Sequence, residues 1–369
     1  MDKKLASLPL LFEDDRITRF YIGGKLMNRW RRMEEAEDSH QCEELLVTSI
    51  GAIVKGEKEG YAVSRTVASQ GSVLLSRLLE EYPEEILGEE FHRYNPGQLS
   101  VLARAGDTTV RLVMQCHPDR EDARRYFGMP MGKTEAWYIA GTREIPGEET
   151  CVYAGFKEHV TKALWRELFE RQDTKAMLEC LHRLPVKKGQ TILIPAGMPH
   201  CVGPGCLFLE FHECNDVTIR VEKEINGMTV SETEMFNGLK AGDGMELFDY
   251  RTYSEEAIRK RVLMQERKIQ KNEEYEWYRV IGPQENDSFG IDLLKLHGVC
   301  RLQKASYHRV LVAVEGDALL RSAGEEYRLV RGHGALVPAA CEDLELSGEG
   351  CDIAVGIPFM SEQGKERKV

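Results

Sequence analysis

Three features of the sequence predict a mainly β chain built as two β-barrels with a helical insertion in the first. Short apolar runs are separated by turn residues along most of its length. One stretch inside the first half changes to helical period. A strand-and-corner motif recurs at an offset of 143 residues.

In chain order, residues 44–54 (ELLVTSIGAIV) and 60–69 (GYAVSRTVAS) read as strands. Leu74, Leu75, Leu78 and Leu79 then recur at helical spacing until Pro83 breaks the pattern. Strand-like runs return at Val101, 108–116, 136–141 and 150–155. Val160, Ala163, Leu164 and Leu168, then Met177, Leu178 and Leu181, mark two amphipathic helices, an insertion over about 157–184. Strands resume at 190–196 and 206–214, across the turn Gly203-Pro204-Gly205. A polar stretch reaches about 250, a helical pattern covers 254–272, and the last hundred residues are short strands and turns. This organisation gives an N-terminal domain at 1–250 and a C-terminal domain at 251–369.

The repeat aligns Gly189, a strand and Pro195-Ala196 with Gly332, a strand and Pro338-Ala339. A turn glycine followed by an apolar strand ending at Pro-Ala suits a barrel corner, so each half holds a barrel of the same kind. In this register His200 aligns with Asp343, and no histidine pair at i, i+2 follows residue 250. The second barrel is therefore expected to carry no metal.

Hydrophobic residues at 42% and charged residues at 30% exclude a disordered or fibrous chain. The net charge of -12 opposes long-range attraction to nucleic acid or an anionic membrane, so an anionic ligand needs a local basic pocket. The patch from Leu8 to Phe12 is too short for a signal segment, and no run approaches the ~18 apolar residues of a membrane span. With ten cysteines and no CxxC pair, the sequence predicts a soluble, cytoplasmic protein.

Gln115 and His117 are two apart, on one face of a strand. Glu135 opens the next strand, and His200 follows the Pro195-Ala196 corner. Two histidines, a carboxylate and an amide carbonyl suit a borderline divalent ion with an open position, although each alone also fits an ordinary turn, ion pair or cap. Gly128-Met-Pro-Met-Gly132-Lys133-Thr134 is one residue short of a phosphate loop and precedes a strand, so Lys133 is a lysine in a turn beside a candidate ligand. His200, Cys201, Cys206, His212 and Cys214 lack a zinc knuckle, and the mixed-charge run 259–271 reads as a solvated face. No G-x-S-x-G or G-x-G-x-x-G supports a serine hydrolase or a dinucleotide fold.

Four motifs then stand in the order and spacing of one family. Q-x-H-P-D at 115–119, G-K-T-E-x-W-Y-I at 132–139, P-A-G-x-x-H at 195–200, and Leu-Glu210 with Arg220 ten residues on resemble the class I mannose-6-phosphate isomerases. The resemblance implies tandem cupin (jelly-roll) barrels and one zinc per chain held by Gln115, His117, Glu135 and His200. It further implies Lys133, Glu210, Asp216 and Arg220 around a sugar phosphate. Interconverting an aldose and a ketose moves a proton between C1 and C2 through an enediol, which a metal and an acid/base group serve. Lys133 and Arg220 would hold the phosphate or the developing oxyanion.

The chain also departs from the family. Val113 replaces a Ser or Thr, Ile22-Gly23-Gly24 stands for Trp-Gly-Gly, Leu45 follows Glu44 in place of tryptophan, and Val221-Glu222-Lys223 stands for Val-Tyr-Asp. These changes touch the pocket walls and leave the metal motif intact. The expected activity is mannose 6-phosphate to fructose 6-phosphate, the alternative being a divergent metal-cupin that binds a sugar or regulates. An iron oxygenase reading leaves Lys133 with Arg220 without a use, and Gln115 is an odd iron ligand.

Overall fold

The computed structural model describes residues 3–34, 36–51 and 62–360. Each half is a pair of facing sheets. In the first half a seven-stranded antiparallel sheet runs in the order Leu263–Met264, Thr191–Ile194, Glu135–Thr142, Cys206–His212, Leu102–Asp107, Glu43–Val47, Arg16–Ile17. Facing it is a sheet ordered Ile219–Arg220, Gln115–Cys116, His200–Val202, Cys151–Lys157, Thr252–Tyr253, with Leu181–Pro185 also paired to Cys151–Lys157. In the second half, a sheet from Gly334–Val337 to Arg267–Lys271 faces the four strands Val299–Leu302, Leu344–Ser347, Ala318–Ser322 and Glu325–Leu329.

The repeated corners hold equivalent places. Gly189 (φ 88°) and Gly332 (φ 81°) both occupy the left-handed region that glycine tolerates without a Cβ penalty. Each leads into a buried four-residue strand, Thr191–Ile194 or Gly334–Val337, stopped by a proline that has no N–H for the ladder. The first corner continues with Gly197, whose N–H donates to the His117 carbonyl at 2.7 Å and so fixes the histidine's backbone.

Side-chain alternation explains why the central strands of the first half read as unbroken apolar runs. Ala103, Ala105, Ala136, Tyr138, Leu207, Leu209 and Phe211 point toward the second half. There they share one core with Val310, Val312, Val314 and Ala354 and with the helices Leu75–Glu81, Pro83–Leu87 and Glu89–Tyr94. Trp137, Ile139, Phe208, Ile192 and Ile194 point the other way, into the first barrel, against Val152, Ala154, Leu184 and Val202. Both faces are buried, so both are apolar except where the barrel interior carries charge. Glycine lets the halves approach: a Cβ on Gly334 would sit 2.8 Å from Val47 Cγ2 and 2.9 Å from the Leu46 carbonyl oxygen.

The insertion comprises helices Lys162–Arg171 and Thr174–Glu179, capped by Thr161 and Asp173. Trp165, Leu168, Phe169 and Met177 pack with Phe156, Phe236 and Phe248 in a cluster of their own.

Some sequence expectations differ from the structure. The helix Leu75–Glu81 does end before Pro83, and Pro83 then starts a second helix at its first position, where the missing N–H costs nothing. Of 108–116 only Gln115–Cys116 forms a strand. The helix expected over 254–272 spans only Glu255–Val262. Asn272 then closes a hairpin by accepting the N–H groups of Glu274 and Tyr275, so Arg267–Lys271 becomes an exposed basic edge strand. Part of the strand readings at 44–54 and 60–69 lies outside the described residues. Thr252–Tyr253 and Leu263–Met264 pair with first-half strands, while Leu10–Leu11 joins the second half. On sheet membership we place the division after Met264. In the second barrel His308 is buried, with its ring nitrogens 3.4 Å from the Leu87 carbonyl and the Ser100 N–H.

Gly334→Ala should overpack the contact between the halves. Urea denaturation is expected to read a loss of about 1–3 kcal/mol, with the individual strands retained.

Candidate active site

Two rows of side chains face each other inside the first barrel. On one sheet Gln115 lies opposite His200 on one neighbouring strand and Arg220 on the other. On the facing sheet Glu210 lies between Arg104 and Trp137. Alternation adds Glu135 beside Trp137 and His212 beside Glu210.

His117, Glu135 and His200 are each 1% exposed and form the one His/Cys/Asp/Glu group of metal-ligating geometry among the described residues. His117 Nε2 is 2.7 Å from Glu135 Oε1, and His200 Nε2 is 3.7 Å from Glu135 Oε2. Both separations fall inside the ~4.2 Å that two ligands at ~2.1 Å from one ion can span. The other ring nitrogens are taken: His117 Nδ1 donates to the Val217 carbonyl at 2.9 Å and His200 Nδ1 to the Met198 carbonyl at 2.8 Å. That sets the tautomer with both Nε2 lone pairs turned inward. His117 Nε2 and Glu135 Oε1 have no hydrogen-bond partner of proper geometry although both are buried. Two adjacent orphaned donor atoms of this kind fit a shared cation. The Gln115 amide is 3.2 Å from His200 Nε2, and turning it over presents Oε1 to the same point.

Protonation states agree with that fit. Burial pushes His200 down to about 4 and also lowers His117, so both imidazoles are neutral. Burial alone would raise Glu135, but the Lys133 ammonium and His117 hold its carboxyl well below the usual range. Trp137 Nε1 donates to Glu135 Oε2 at 3.1 Å.

Lys133 is itself 1% exposed, with Nζ 2.9 Å from Glu135 Oε1 and 3.9 Å from Asp216 Oδ1. Its charge is committed to these two carboxylates. A buried ammonium without a carboxylate would be costly, which explains why it turns inward. Asp216 is held low by Lys133 and Arg104 against the opposing effect of burial. Glu210 behaves differently: burial raises it to about 7, with Glu135 pushing the same way and Arg104, 2.7 Å off, pulling back.

Gln115, Glu135, His200, Glu210, Asp216 and Arg220 line a cavity of about 870 Å³. Its wall includes Leu112, Val113, Trp137 and Phe208, so the position of the missing hydroxyl is apolar. Sequence reasoning missed Arg104, Arg19 and Glu43, which also line it. The available signal was charge inside a mostly apolar strand, Arg104 in LARAGD and Glu43 in EELLV. The ten cysteines are all buried and free, and His212 Nδ1 donates to the Glu213 carbonyl, so these residues form no zinc knuckle.

Fold and cluster together define a mainly β protein with a buried His-Glu-His cluster of metal-ligating geometry in its first half. The family model described as "Mannose-6-phosphate isomerase, cupin domain" matches residues 283–357. The chain is 27% identical over 187 residues to a Bacillus subtilis protein named probable mannose-6-phosphate isomerase GmuF, covering 47% of this chain and 54% of that protein. It is 31% identical over 140 residues to mannose-6-phosphate isomerase ManA of the same organism, covering 36% and 41%. These matches span about half or less of the relatives' length. A crystal structure of the Bacillus subtilis mannose 6-phosphate isomerase superposes with a TM-score of 0.72 at 18% identity over 94% of this chain and 99% of that one, a likeness of fold. The matched domain model, the partial relatives and the shared fold all carry the mannose-6-phosphate isomerase name, and this chain resembles them. Among the described residues no helix is long and apolar enough to cross a membrane.

The elevated Glu210 carboxyl gives a signed pH dependence. The folded chain keeps a proton there that the unfolded chain releases above about 4.5. Its stabilisation is present below that pH and is lost as pH rises through about 7. His200 acts oppositely, contributing above about 6.5 and losing it as pH falls through about 4. Comparison with Glu210→Gln isolates the carboxyl. In urea denaturation of chelator-treated protein, wild type should lose stability relative to this variant between about pH 5 and 7.5, whereas a constant difference would count against the assignment.

Proposed function

We propose that this chain is a zinc-dependent aldose–ketose isomerase acting on a sugar phosphate, with mannose 6-phosphate to fructose 6-phosphate as the first pair to test. The observation that carries it is the buried cluster of His117, Glu135 and His200, of which Glu135 and His200 open onto a cavity also lined by Glu210 and Arg220. The relatives' names and the in-register motifs support the same reading.

Zinc, held by Gln115, His117, Glu135 and His200, would supply Lewis-acid stabilisation of the negative charge that grows on the sugar oxygens at C1 and C2. Glu210, with a pKa near neutrality, suits taking the proton from one carbon and returning it to the other. A divalent charge near Glu135 would draw Glu210 somewhat below 7, toward the base form the first step needs. Arg104 steadies the ionised form of Glu210 before the first transfer and again after the second. Lys133 keeps Glu135 and Asp216 ionised. Trp137, Phe208 and Val113 offer apolar surface to the C–H faces of the sugar and exclude water. Arg220 receives the phosphate, because among the described residues its guanidinium makes one hydrogen bond, a 3.5 Å contact with the Thr218 carbonyl.

The buried free thiols fit a reducing compartment, and we read the location as cytoplasmic. Val113 favours one other reading, a metal-cupin that binds sugar without turning it over. An assay of zinc-loaded protein on a panel of aldose phosphates decides between them. Conversion of mannose 6-phosphate should be lost on chelation and restored by zinc, with at least tenfold lower kcat/KM for unphosphorylated mannose. Saturable sugar binding without conversion of any aldose phosphate would favour the binding reading.

A further inference from the structure

Arg19 brings to the cavity a cation that no sequence motif accounts for. It lies between the strand Arg16–Ile17 and the helix Lys25–Trp30. His40 clamps its backbone at both ends: the Arg19 N–H donates to the His40 carbonyl at 2.7 Å, and His40 Nδ1 donates to the Arg19 carbonyl at 2.8 Å. The side chain is 17% exposed and lines the cavity. Its Nη2 is 2.5 Å from Glu43 Oε2, while Tyr21 donates its hydroxyl hydrogen to the other oxygen of Glu43. The carboxylate thus orients the guanidinium from one side only, and Arg19 Nε is left buried with no acceptor.

Arg220 shares this cavity, and among the described residues no carboxylate lies within 4.0 Å of its guanidinium. Burial, Arg19 and Arg104 all disfavour its charged form, and Asp216 opposes them. The third arginine, Arg104, is already committed to Glu210 at 2.7 Å and Asp216 at 3.5 Å. Two like charges with unused donors are therefore held at one cavity. Glu43 balances Arg19, but Arg220 has no such partner, so a doubly charged anion between them would use the free donors of both.

We infer that Arg19 and Arg220 form the two jaws of an anion clamp, and that Arg19 makes the cavity select a phosphorylated over an unphosphorylated sugar. The selection rests on the isomerase reading above; the clamp itself is a statement about phosphate. A guanidinium suits the role better than Lys133, because its planar fork bonds two phosphate oxygens at once and Lys133 is spent on Glu135.

Calorimetric titration of inorganic phosphate into zinc-loaded wild type, Arg19→Gln and Arg19→Lys tests the clamp, with kinetics on mannose 6-phosphate and mannose alongside. Arg19→Gln should weaken phosphate binding at least tenfold and raise KM for mannose 6-phosphate by a similar factor. Its kcat and zinc content should stay near wild type while Tm falls because Glu43 loses its cation, and Arg19→Lys should recover part of both the affinity and the Tm. Unchanged phosphate affinity in Arg19→Gln would overturn the clamp. A fall in kcat accompanying the lost affinity would also overturn it, assigning Arg19 to holding Glu43 and Tyr21 in place. If wild type binds phosphate but converts no aldose phosphate, the isomerase reading fails while the titration still decides the clamp.

Discussion

Glu135 is a carboxylate almost wholly removed from water, and that removal costs several kcal/mol unless positive charge and hydrogen bonds replace the solvent. Lys133 supplies the charge at 2.9 Å, Trp137 supplies an N–H at 3.1 Å, and two neutral imidazoles bring their lone pairs against it. Lone pair facing carboxylate is a repulsive arrangement in the absence of a cation. The rest of the site follows from resolving it: backbone carbonyls lock both histidines in the tautomer that turns Nε2 inward, and Gly197 ties the first barrel's corner to His117. The ligand set is thus built into the strands and corners of the barrel, which keeps its geometry stiff.

Stiffness also requires that the strand carrying Glu135 be immobile on its other face. Ala136, Tyr138 and Ala140 lie there, packed into the core that both halves share. The second half therefore acts on the site through packing, by backing the sheet from which Glu135, Glu210 and Arg104 project. Small residues such as Ala103, Ala105, Gly334 and Gly356 set how closely the halves meet.

What the sequence disclosed and what it withheld divide along a physical line. The two-barrel plan, the inserted helices and the His117, Glu135 and His200 cluster were legible because strand alternation, helical period and a repeated corner are local patterns. Lys133 was visible as a residue beside a ligand, but the direction of its side chain depends on a turn whose geometry no spacing encodes. Arg104 and Arg19 were passed over because a single charge among apolar residues reads as an edge or a surface position until its acidic partners, Glu210 and Glu43, are brought in from distant strands. The charged run after residue 258 carried a helical period that Asn272 overrode by closing a hairpin.

All of this depends on the cluster being a metal site, and calorimetric titration of zinc into metal-stripped protein tests that most directly. Wild type should take up one ion per chain. Glu135→Gln, which keeps the shape and removes the charge, should bind at least as much more weakly as the ~10–100-fold seen for loss of outer-shell partners. No saturable uptake by wild type, or equal affinity in Glu135→Gln, would contradict the account.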